Sequence, residues 1–161
     1  MGYTVQLIKG DVLIVASDQM AAFEALRALD ATRDDLKTGW SRGSDDVNSP
    51  GLQHWAFVES EDIASATTLA DMLRALRFRP LIDPDGAIFG VELIDSPRNR
   101  GDERWIWATL VPFVSAGGEL VWFGEDDQVV MWSFDGRGMT EHLGLLAFGE
   151  GSKVQVPERR T

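Results

Sequence analysis

Apolar runs joined by only a few turn residues constrain this chain more than any other feature. "RPLI" and "AIFGVELI" are separated by "DPDG" at Asp83 to Gly86. Proline presets its own backbone angle and glycine accepts a left-handed one, so these four residues predict a tight turn. Further on, "ELVWFGEDDQVVMWSFDG" sets the acidic triplet Glu125, Asp126 and Asp127 between two runs that each hold a tryptophan. Connections this short force antiparallel neighbours, because a parallel pair needs a crossover of about a dozen residues.

The rest of the chain fits around such hairpins. "YTVQLI" and "DVLIVA", with "KGD" between them, predict another hairpin near the start. Ser17 or Asp18 is placed to cap a helix running to about Asp30. Residues 31–51 are rich in Gly, Ser, Asn and Pro and read as a long loop that carries Trp40. "HWAFV", from His54 to Val58, reads as a strand. Thr68 with Asp71 forms a near capping box ahead of the helical stripe Leu69, Met72, Leu73 and Leu76. Asp102 is placed to cap a third helix, which Pro112 kinks or divides and "AGG" ends. After the tryptophan hairpin, "FDGRG" turns into a strand near Met139 to Leu143. This order predicts an α+β fold: one domain over residues 1–150, a mainly antiparallel sheet of hairpins packed with about three helices. Residues 151–161 read as a flexible tail.

Bulk properties narrow the function. A chain of 161 residues can bury a full core. It has no cysteine, so disulfide and thiolate chemistry are excluded. The N-terminus lacks the basic and apolar regions of a signal peptide, and no apolar run is long enough to span a bilayer; a cytoplasmic location is expected. The net charge of -11 makes duplex nucleic acid and anionic membranes poor partners and favours a basic protein.

Candidate chemistry is sparse. The triplet Glu125–Asp127 lacks the spacing of a calcium loop, and adjacent carboxylates on a turn do not converge as an acid–base pair. It reads as a solvated loop tip that could also serve as an acidic docking contact. The two histidines, His54 and His142, show no metal-ligand spacing. No nucleophile elbow, phosphate loop or dinucleotide fingerprint occurs, so no catalytic residue, metal or cofactor is expected. Two arginine clusters, Arg74, Arg77 and Arg79 and then Arg98, Arg100 and Arg104, can pair internally or bind an anion. Six tryptophans is a high count, and tryptophan is enriched at interfaces. Trp122 and Trp132, on either side of the acidic tip, and Trp40 in its loop are the aromatic candidates for a partner surface.

The stretch from Pro112 to Gly136 resembles a pattern in small bacterial proteins of unknown function. In these a helix ending "PFV-x-x-G" leads to a strand, "GED" and "W-x-F-D-G". Such proteins are similar in size and acidity to immunity proteins that neutralise secreted bacterial toxins. The charge, the aromatic hairpin and the missing catalytic constellations, more than this resemblance, point to a non-enzymatic module that grips a basic protein, such as a toxin it inhibits, through Trp40, Trp122, Trp132 and the acidic triplet. The competing reading is a small-ligand binder or enzyme with a pocket lined by Arg74, Arg77, Arg98, Arg100, His54 and His142. A flat acidic surface favours the first, and a cleft with converging His and Arg favours the second.

Overall fold

The computed structural model describes residues 3–41, 52–145 and 150–151. Strand β1 (Thr4–Asp11) leads through a 3-10 turn into helix α1 (Gln19–Thr32). Two short strands follow, β2 (Gly39–Ser41) and β3 (Leu52–His54), then helices α2 (Ser60–Ser65) and α3 (Leu69–Ala75). Strands β4 (Phe78–Ile82), β5 (Ile88–Leu93) and β6 (Arg98–Asn99) precede helix α4 (Glu103–Leu110). Strands β7 (Glu119–Gly124), β8 (Gln128–Phe134) and β9 (Met139–Leu145) complete the order. The architecture is the α+β class expected.

Among the described residues all strand pairs are antiparallel. The main sheet has the order β6-β1-β7-β8-β9, while β2-β3 and β4-β5 form separate two-stranded ribbons. The β4–β5 turn falls at Asp83 to Gly86 as expected: Gly86 has φ +85 and its N–H bonds Asp83 O at 3.0 Å. Thr68 caps α3 by accepting from Asp71 N–H at 3.1 Å, and the stripe Leu69, Met72, Leu73 and Leu76 is fully buried. Pro112 ends α4 in a separate 3-10 turn, Val111–Phe113.

Several local expectations are corrected. The predicted N-terminal hairpin is a single strand, because "KGD" continues β1 instead of turning it. Beyond Asp11 the chain leaves the sheet, and Ile14 pairs in a bridge with Ile88. Gly10 is needed there for a backbone crossing: a Cβ would lie 2.0 Å from Val91 O. The strand expected at His54 to Val58 ends at His54; Phe57 takes φ +61 and turns the chain. The loop expected over 31–51 holds the end of α1, a 3-10 turn and β2, while residues 42–51 lie outside the described residues. Residues 152–161 of the expected tail also lie outside them.

One core cluster holds the fold together. Phe23 and Leu26 from α1, Leu73 from α3, Phe78 from β4, Ile88 from β5, Trp107 from α4 and Leu120, Trp122, Trp132 and Phe134 from the main sheet all belong to it. Trp107 meets Phe78 edge-on at 5.5 Å and Phe134 at 6.2 Å, so α4 is keyed to both ribbon and sheet by aromatic contacts.

Candidate functional site

The register of the β7–β8 hairpin decides what its tryptophans do. Leu120 faces Trp132 and Trp122 faces Val130 across the ladder, so Trp122 and Trp132 are diagonal neighbours on one side of the sheet. Their rings lie 5.3 Å apart at 60°, and both are under 5% exposed, at 4% and 2%. They are core residues. Trp132 Nε1 donates to Glu141 on β9 at 2.8 Å, and Arg104 of α4 donates to the same carboxylate. Partial burial works against ionisation of Glu141, but the bonds from Trp132 and Arg104 outweigh it and hold its carboxyl below the usual glutamate range.

Alternation sends the intervening residues the other way. Val121 pairs with Met131 and Phe123 with Val129. These four side chains are half-buried and stand outside the core cluster. On the flanking strands the same face carries Gln6 and Lys9 from β1 and His142 from β9. Lys9 is tied to Glu119 at 2.6 Å, and His142 Nε2 lies 3.0 Å from Ser133 Oγ. The outward face of the main sheet is thus an apolar strip with polar edges.

The acidic tip closes one end of that strip. Glu125, Asp126 and Asp127 are all exposed. The left-handed backbone of this turn occurs at Asp127, with φ +62, and not at Gly124. Gly124 serves a different purpose: a Cβ there would fall 1.8 Å from the Tyr3 hydroxyl. The Tyr3 ring lies on that bare backbone and donates its hydroxyl to Asp126, which also accepts from Gln128 N–H at 3.3 Å. The hydrogen bond to Asp126 raises the Tyr3 phenol above its ordinary range. Among the described residues no three His, Cys, Asp or Glu side chains gather as metal ligands.

The remaining sequence candidates are dispersed. Trp40 on β2 is 61% exposed. His54 packs its ring over Gly39 and places Nδ1 2.9 Å from Trp55 O. Arg74 pairs with Asp71, and Arg77 bonds both Asp95 and Phe57 O. Arg98 lies in β6, and its side chain lies outside the described residues. Arg100 alone of this set lines the slot that Tyr3, Glu103, Trp122 and Trp132 form at the open end of the core. The slot and three further cavities are each lined by at most one of these arginines and histidines.

The sequence reading places Asp102 correctly at the start of α4 but misses what its side chain does. Asp102 makes no side-chain cap on α4. It is 6% exposed and accepts from Thr38 N–H at 3.1 Å, Thr38 Oγ1 at 2.8 Å and Ala56 N–H at 2.9 Å. Those bonds staple the ribbon that carries Trp40 onto the start of α4. No local pattern signals this, since the partners stand 46 and 64 positions away in sequence.

Among the described residues no helix is long and apolar enough to cross a membrane. Compared with family models, curated proteins and solved structures, the chain matches none.

Proposed function

We propose that this protein is a non-enzymatic binding module that docks a basic protein on the outward face of its main sheet. The observation that supports this is the apolar strip Val121, Phe123, Val129 and Met131 beside the exposed tip Glu125–Asp127. A half-exposed apolar strip with a polar rim suits protein contact. A second copy would bring another net charge of -11 against the first, which argues for a partner of opposite sign. An inhibitor of a basic protein, in the manner of a cytoplasmic bacterial immunity protein against its toxin, fits this chemistry. The competing pocket of converging arginines and histidines draws no support from their dispersed placement.

The experiment is affinity capture from the source organism at low and high salt, with each recovered protein purified and titrated directly. Direct binding of a basic protein that weakens with salt supports the reading. Recovery of only acidic partners, or binding indifferent to salt, overturns it.

A further inference from the structure

We propose that the groove where the outward strip meets the acidic tip seats one arginine side chain of the basic partner. Thr4, Gln6, Pro97, Phe123 and Glu125 line it. That the arginine belongs to a protein partner rests on the docking reading above; that the groove takes arginine rests on its own shape and chemistry.

The register explains why a groove forms there. Gln6 of β1 pairs with Phe123 of β7, and Val5 pairs with Arg98 of β6. Continuing the second ladder by one residue sets Pro97 beside Gln6. Pro97 and Phe123 thus flank β1 two strand spacings apart, roughly 10 Å between their backbones. The Glu125 N–H bonds Thr4 O at 3.2 Å, which brings the start of the acidic tip to the same end of β1. The groove holds about 180 Å³. A cavity of about 150 Å³ takes one benzene ring, and small-molecule pockets begin at about 300 Å³. This groove is sized for a single side chain.

The lining decides which side chain. Pro97 and Phe123 are apolar walls, while Thr4, Gln6 and Glu125 carry acceptors. Among the described residues the lining holds no Lys, Arg or His. Lys9, on the same face, is held by Glu119 at 2.6 Å, near the other end of β1. Glu125 is exposed and, among the described residues, stands in no ion pair. The net charge of -11 adds to the attraction for a cation. A side chain with an apolar stem and a cationic head matches both parts. Its stem lies along the proline and the phenylalanine, and its head stays at the wet, acidic mouth. Arginine suits this better than lysine. A guanidinium is planar and weakly hydrated, stacks on an aromatic ring and forks onto a carboxylate, whereas an ammonium is a compact, strongly hydrated point charge.

The test is an NMR titration of 15N-labelled protein with acetyl-Gly-Arg-Gly-amide, read at the backbone amides of Gln6, Phe123 and Glu125. Parallel arms replace the arginine by citrulline, which keeps the shape and loses the charge, by lysine, and by glutamate. Saturable shifts are expected with the arginine peptide at roughly millimolar affinity. The citrulline and lysine peptides should bind about tenfold more weakly, and the glutamate peptide should not bind. Glu125→Gln should weaken the arginine peptide about tenfold without moving the melting temperature. Glu61→Gln, which removes the same charge from the exposed side of α2, should leave its affinity unchanged. Three results would overturn the proposal: no saturable shift at these amides, citrulline or lysine binding equal to arginine, or equal effects of the two substitutions. The titration needs no captured partner. Its failure leaves the docking reading to the salt-dependent capture, and failure of that capture leaves the arginine site to the titration.

Discussion

Trp132 on β8 donates its indole N–H to Glu141 on β9 at 2.8 Å while its ring packs diagonally against Trp122. One side chain thereby joins the aromatic core to a charged group at the sheet edge. Trp132→Ala should cost about 3–5 kcal/mol, the usual range for a buried large aromatic. Trp132→Phe should cost less, since it keeps ring packing and loses the bond to Glu141. Chemical denaturation of both variants checks this, and equal losses would show that the hydrogen bond, not the ring, dominates.

The same carboxylate sets an acid limit. Glu141 has a lower pKa in the native protein than the ordinary glutamate value, so its contribution is complete above that value and is lost as pH falls through the native one. Asp71, held low by Thr68, and Asp135, held low by Arg137 and Gly138 N–H groups, act in the same direction. Stability should therefore decline below about pH 4.5, and Glu141→Gln should flatten the decline. Urea midpoints measured from neutral to acidic pH test it; an unchanged slope in the variant would remove Glu141 from the account.

The tip is a turn first. Asp126→Asn with Asp127→Asn should change the melting temperature little, because the charges are solvated and Asn tolerates the left-handed backbone at position 127. Thermal scans with and without calcium check this. A loss of many degrees, or a calcium-dependent shift in the parent protein, would show a role that a solvated turn does not have.

Gly124 and Tyr3 form a matched pair. Gly124→Ala should destabilise the parent, since its Cβ would sit on the Tyr3 hydroxyl, and should cost little in a Tyr3→Ala background. A double-mutant cycle measures the coupling; additive losses would contradict the contact.

Asp102 anchors the Trp40 ribbon from within the core. Asp102→Ala strands the N–H groups of Thr38 and Ala56, and should cost at least about 2 kcal/mol. Hydrogen exchange should rise first at those two amides. Unchanged protection there would mean that the ribbon is held by other contacts.

How much of this was legible depended on how local each cause was. The α3 stripe and the Asp83–Gly86 turn were readable because period and turn chemistry act within a few residues. The split of β7 into Leu120 and Trp122 against Val121 and Phe123 followed from alternation alone. "KGD" misled because its residues favour turns, whereas pairing of β1 with β7 keeps the strand extended, and that partner is more than a hundred positions away. Which tryptophan face is buried depends on α4 and β4, so the outward strip could not be singled out from sequence. The slot is likewise nonlocal: Tyr3, Arg100 and Trp122 meet only through the order β6-β1-β7.

The central claim is that a basic protein is attracted by the tip and held by the strip. The direct measurement is stopped-flow kinetics of the captured basic partner against three proteins. These are the parent, a Glu125→Gln, Asp126→Asn, Asp127→Asn variant, and Phe123→Ser. Neutralising the tip should slow association about tenfold at low salt and flatten its salt dependence, with dissociation little changed. Phe123→Ser should instead speed dissociation, since the strip supplies the buried contact. Rates unaffected by both changes in folded proteins would contradict the account.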